Sequence, residues 1–233
     1  MYFWRLMKEA QKLDNPVWHS LRETHKTFSI NIDNVLFYDP IYCPFGGREE
    51  QVLTVEAIDR YAQQTSPLYV VGKKPEYSNT MIIEDNILCN QMVLDQPITM
   101  ACASQIKTLI TQQHKKELLE LVNVVQPGFI KKKTPDLGAY YGIYNNHQLV
   151  ALAGERMKMN GYTELSAVVT HPDHTGKGFA SQLIKHATDK IFDNNQIPYL
   201  HVSERNTRAI KVYEKLGFTT RRKISFWRLA RTT

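Results

Sequence analysis

The 233-residue sequence predicts an α/β protein with one larger and one smaller lobe, on three observations. Apolar runs of strand length alternate along the chain with longer stretches in which apolar residues recur every three or four positions. The alternation stops at Asp95-Gln96-Pro97 and restarts beyond it, which divides the chain into a smaller α/β lobe, residues 1–96, and a larger domain, residues 97–233. Two glycines one residue apart, Gly176 and Gly178, separate an apolar strand from an amphipathic helix.

In the first lobe Asp14-Asn15-Pro16 punctuates an early helix, and residues 27–32 alternate apolar with polar as a half-buried strand does. Tyr38-Asp39-Pro40 and Cys43-Pro44-Phe45-Gly46-Gly47 make a turn-rich loop, after which Val52, Val55, Ile58 and Ala62 fall at helical spacing. Residues 67–71 read as a buried strand and 82–93 as a longer, less regular one. In the second region a short strand is expected at 98–102, then a helix over 105–125 ending at Gln126-Pro127-Gly128. Strands over 140–144 and 148–157 flank Asn145-Asn146-His147, which favours a tight turn. A strand over 163–170 stops at His171-Pro172, and the helix beyond Gly178 carries Leu183, Ile184, Ala187 and Ile191 on one face. A strand over 198–202, a helix over 207–216 ending at Gly217, and extended chain over 218–229 complete the order; no internal repeat is evident.

A composition of 42% hydrophobic and 22% charged residues excludes long disorder. The net charge of +6 favours polyanionic partners in general. Lys131-Lys132-Lys133 and Arg221-Arg222-Lys223 are nevertheless short and line no helix face, so they read as solvated surface and no nucleic-acid partner is expected. Arg5 and Lys8 interrupt the apolar N-terminus, and no run of about 18 apolar residues appears, so a soluble cytoplasmic protein without membrane contact is expected. Cys43, Cys89 and Cys102 lack ligand spacing and are expected as small buried hydrophobes; no metal site is expected, His171 and His174 included.

The segment from Val168 to Ala180 carries the chemistry. Glycines between a strand and a helix bend the chain so that successive N–H groups converge, and the helix N-terminus adds positive charge, an arrangement suited to a diphosphate. Walker and Rossmann patterns both fail here, because Lys177 lies between the glycines and no third glycine follows in place. Thr175-Gly176-Lys177-Gly178-Phe179-Ala180 instead resembles the acyl-CoA loop of the GNAT superfamily, with Thr175 where that family has Arg or Gln. Asn206, Ala209, Tyr213 and Leu216-Gly217-Phe218 resemble the superfamily's closing segment. Ala153 to Met157, Gly161 to Val168, Thr170-His171-Pro172 and, in the first lobe, Asn15-Pro16-Val17-Trp18 are similar to its FR47-like branch.

The resemblance implies a mixed, mostly antiparallel sheet flanked by helices and splayed where CoA enters, with acetyl-CoA the donor and a primary amine the acceptor. It places the main chain of Val168, Val169 and Thr170 against the pantetheine arm and His174, Thr175, Gly176, Lys177, Gly178, Phe179, Ala180 and Asn206 at the cofactor. A carboxylate is needed to take the amine's proton, and Glu164 is the first candidate, Glu155 the second, each on a central strand. Strand alternation puts Glu164, Ser166, Val168 and Thr170 on one side. The resemblance places Tyr213 near the CoA sulfur as general acid. A non-catalytic acyl-CoA sensor is the alternative, while the acceptor's identity, a small molecule or a protein amine, and the oligomeric state stay open.

Overall fold

The computed structural model describes residues 10–232; the apolar stretch at Met1 to Met7 lies outside them. Eleven strands form one sheet in the order β1-β2-β3-β4-β11-β5-β10-β9-β8-β7-β6. In chain order these are β1 Ser29–Ile32, β2 Val35–Tyr38, β3 Phe45–Gly47, β4 Leu68–Val71, β5 Met81–Val93, β6 Ile106–Thr108, β7 Tyr140–Asn145, β8 Gln148–Met159, β9 Tyr162–Thr170, β10 Ile197–Ser203 and β11 Thr219–Arg231. Only β3–β4 and β9–β10 pair in parallel. The helices are α1 Pro16–Arg22, α2 Val55–Ala62, α3 Gln112–Val125, α4 Phe179–Asp193 and α5 Thr207–Lys215.

The strand order contains a repeat that the residue pattern did not reveal. A hairpin (β1–β2), a strand (β3), a helix (α2) and a parallel strand (β4) recur as β7–β8, β9, α4 and β10. Each half then sends its next strand across: β5 pairs with β10, β11 pairs with β4, and the two lie against each other at the centre. The sheet therefore runs unbroken across residues 96 and 97. Both hairpins turn through a left-handed pair, Asn34 following Asp33 and His147 following Asn146, as short polar side chains permit and as the twist of the strands requires.

On one face Leu183, Ile184 and Ala187 of α4 pack on Ala151, Ala153, Leu165 and Leu200, each fully buried Leu or Ile contributing about 1.5–3 kcal/mol. α2 covers the other half of the sheet through Ile58 and Tyr61, against Phe37, Val70 and Leu229. Leu118, Leu121 and Val122 of α3 pack on Leu152 and Val169, and Leu13, Val17 and Leu21 around α1 pack with Met157, Met159, Tyr199 and Phe226.

Two expected elements differ. Residues 98–102 are irregular, and just beyond them the Gln182 side chain on α4 accepts from the Ala103 and Ser104 amides at 2.9 and 2.8 Å, tying this stretch to a helix. The helix expected from 105 begins at Gln112, because residues 106–108 pair with β7 and Thr111 caps it, its hydroxyl accepting from His114 N at 3.1 Å. Cys43 and Cys89 are buried, whereas Cys102 lies exposed on the irregular segment.

Candidate active site

β9 and β10 pair only at Tyr162–Glu164 against Ile197–Tyr199. Beyond that β9 stays with β8 and β10 with β5, so residues 165–170 and 200–203 diverge with no ladder between them. A bulge drives the divergence. Ala167 has φ of 50° and adds a residue between the Ser166–Gly154 and Val169–Leu152 pairs. The bulge also overturns the simple alternation: Val168 and Thr170 turn to the α4 side, Thr170 opposite Ala151, while Glu164 lies on the other side with Arg156.

The N-termini of α4 and α5 stand at the open ends of these strands. Gly178 is the N-cap of α4 with φ of 73° and no side-chain cap, and Gly176 has φ of 78°. Both are exposed, with open space where a Cβ would stand. Among the described residues no acceptor meets the N–H groups of Gly176, Lys177 or Gly178, and Phe179 and Ala180 are in the first helical turn, whose amides have no partner within the helix. Thr175 is exposed, its hydroxyl donating to Pro172 O at 3.1 Å. His174 shapes the loop: its amide donates to His171 O at 2.9 Å and its ring lies 3.4 Å from Lys177 Nζ. Asn206 caps α5 by accepting from Ala209 N at 3.1 Å. Val168, Phe179 and Tyr213 are half-buried around one apolar cluster, and burial pushes the Tyr213 phenol up to about 12.

The two carboxylates differ sharply. Glu164 accepts from Arg156 Nε and Nη2 at 2.8 Å each, from Met157 N at 3.2 Å and from His201 Nδ1 at 2.8 Å. Burial pushes its carboxyl up, but the Arg156 charge and hydrogen bonds outweigh that, with His201 adding, and hold it down at about 2. With every lone-pair direction occupied, it is a weak base. Glu155 engages only Oε2, which accepts from Lys158 Nζ at 2.7 Å and Ala139 N at 3.2 Å.

A buried chain of hydrogen bonds continues from Glu164. Gln91 faces Arg221, which can only donate, at 3.1 Å through Oε1, and donates to Leu13 O at 2.7 Å through Nε2. The same Nε2 lies 3.0 Å from His201 Nε2, so that nitrogen accepts and the ring's proton sits on Nδ1, facing Glu164. Arg221 and Arg222 both reach Asp14 at 2.6 Å.

Residues 140–227 match the family model described as FR47-like protein. An uncharacterized N-acetyltransferase of Bacillus subtilis, YobR, is 31% identical over 91 residues, 39% of this chain and 36% of that protein. A spermidine N(1)-acetyltransferase of Vibrio cholerae is 43% identical over 53 residues, 22% of this chain and 31% of that protein. The matched stretches thus span about a third of those two relatives' lengths. A GNAT-family crystal structure from Novosphingobium aromaticivorans superposes with a TM-score of 0.85 at 28% identity, covering 95% of this chain and 99% of that one. The chain thus has the fold of a GNAT-family structure and carries an FR47-like segment over residues 140–227. Its mixed, mostly antiparallel sheet flanked by helices matches those structures.

Sequence reasoning missed His201 as a partner of Glu164, and Gln91 and Arg221 as the links beyond it. Gln91 broke the apolar pattern of β5, and that irregularity was the available signal. It also missed Tyr140, which reads as one more strand aromatic.

Proposed function

We propose that this chain is an N-acyltransferase that moves an acetyl or other short acyl group from acyl-CoA, acetyl-CoA in the first instance, to a primary amine by direct attack. One observation carries the reading: the row of unengaged amides over residues 176–180 at the head of a 15-residue helix, beside a β9 edge that has lost its strand partner. Such a row suits a diphosphate, and the open main chain of Val168, Val169 and Thr170 suits an amide-bearing arm added as a strand. Bound acyl-CoA supplies the thioester carbonyl.

The amine nitrogen bonds to that carbonyl carbon, the carbon–sulfur bond breaks, and Tyr213, kept protonated by burial, gives its proton to the departing sulfur. The amine's own proton passes to Glu155, whose Oε1 has no protein donor among the described residues. Glu164 holds Arg156 in place. Residues 97–233 supply these groups and residues 1–96 wall the acceptor side. Three unpaired cysteines accord with a reducing, cytoplasmic setting, and no helix among the described residues is long and apolar enough to cross a membrane.

Titration calorimetry with acetyl-CoA, combined with thiol release over a panel of amines, tests the reading; binding accompanied by turnover is expected. Binding with no turnover on any amine favours the sensor alternative, which Thr175 in place of the family's Arg or Gln supports.

A further inference from the structure

The groups around Arg156 point to the acceptor's chemistry. This residue is only 8% exposed, and Nε and Nη2 are held by Glu164, which leaves Nη1 without an acceptor among the described residues. Tyr140, 2% exposed and paired with Gly154 two residues before Arg156, likewise has a hydroxyl with no partner there. Neither atom belongs to the fully enclosed, unpartnered set, which consists of Asn86 Oδ1, Asn90 Oδ1 and Arg228 Nε. Solvent therefore reaches both donors even though the residues are almost wholly buried, so an opening leads down to them.

The walls of that opening come from two loops joined to each other, Lys133 N donating to Ile41 O at 3.1 Å and the Thr134 hydroxyl donating to Tyr42 O. The guanidinium centre lies 4.8 Å from the Phe45 ring and 6.0 Å from that of Phe129, which is 51% exposed. Lys131 and Lys132 follow on the same loop as Phe129, and neither forms an ion pair among the described residues. A polycation would meet this basic loop and the Arg156 charge unfavourably, while an anionic oxygen could accept from both donors at once in place of solvent.

We propose that the acceptor amine carries a carboxylate, as a free amino acid does, and that Arg156 Nη1 and the Tyr140 hydroxyl hold it at the floor of this opening. The inference rests on the acyl-transfer reading and names the substrate class of that same site. The test compares thiol release with phenylalanine, phenethylamine and spermidine in the full-length protein. Phenylalanine is expected to show at least about tenfold higher kcat/KM than phenethylamine, the worth of one hydrogen bond to a charged group. The acid-to-amine ratio should fall about tenfold in Tyr140→Phe and several-fold in the doubly charge-reversed Lys131→Glu/Lys132→Glu protein, a ratio that general loss of fold would leave unmoved. Turnover of phenethylamine or spermidine equal to or better than that of phenylalanine overturns the carboxylate preference and leaves acyl transfer standing. Silence with all three while acetyl-CoA binds overturns both.

Discussion

On the proposed acyl-CoA reading, Gly178 is the residue on which donor binding turns. Its φ of 73° suits glycine, and the space beyond it is where a diphosphate must approach the amides. Gly178→Val should abolish acetyl-CoA binding in calorimetry while leaving the circular dichroism spectrum intact, and normal affinity would contradict the phosphate-loop assignment. Glu164 and His25 make separate pH predictions. The folded Glu164 carboxyl is held at about 2 against an ordinary 4.5. A depressed acid stabilises the fold above its unfolded value, so that stability should be present above pH 4.5 and lost as pH falls toward 2. His25, buried against Tyr38, is lowered by burial from 6.5 to about 4. The unfolded chain then binds the proton more readily, so stability should already decline between pH 6.5 and 4. Urea titrations across pH should show both windows, with Glu164→Gln removing only the lower one and His25→Gln only the upper.

Elements whose signal is local were legible in the sequence. The β7–β8 hairpin turns at the Asn-rich stretch as expected, and the strand–glycine–helix unit at Gly176 and Gly178 lies where the spacing put it. The bulge at Ala167 was not legible, because alanine carries no preference for positive φ and the distortion is imposed by the neighbouring strands. The strand expected at residues 98–102 was misjudged for a similar reason, since the chain just beyond it is held at the Ala103 and Ser104 amides by Gln182, about 80 positions away. Helix α5 links local capping to the reaction. Asn206→Ala should cost about 1 kcal/mol through the lost cap. Because Tyr213 rides on the same helix, kcat should drop more than KM rises; an unchanged kcat would remove Tyr213 from the proton-transfer step.

At the scale of the whole molecule the exchanged strands decide cooperativity. Local patterning identified β5 and β11 as extended chain but contained nothing to pair Val93 with Thr219 or Met81 with Arg231, contacts that span more than a hundred residues. Residues 97–233 expressed alone would lack β5, leaving β10 without its antiparallel partner and β11 with neither neighbour in the sheet. An exposed edge of that length, carrying Ile224, Phe226 and Leu229, which are all buried in the intact chain, is an aggregation surface. Residues 1–96 alone would leave β4 with β3 as its one neighbour and β5 with none. Each piece should therefore be insoluble or unfolded by itself. Co-expression of the two should restore a soluble 1:1 complex that binds acetyl-CoA, because β5 and β11 can find each other without a covalent link. A folded, monomeric 97–233 fragment in size-exclusion chromatography and NMR would show that the central pair is dispensable and that the reacting groups sit in a domain that stands alone.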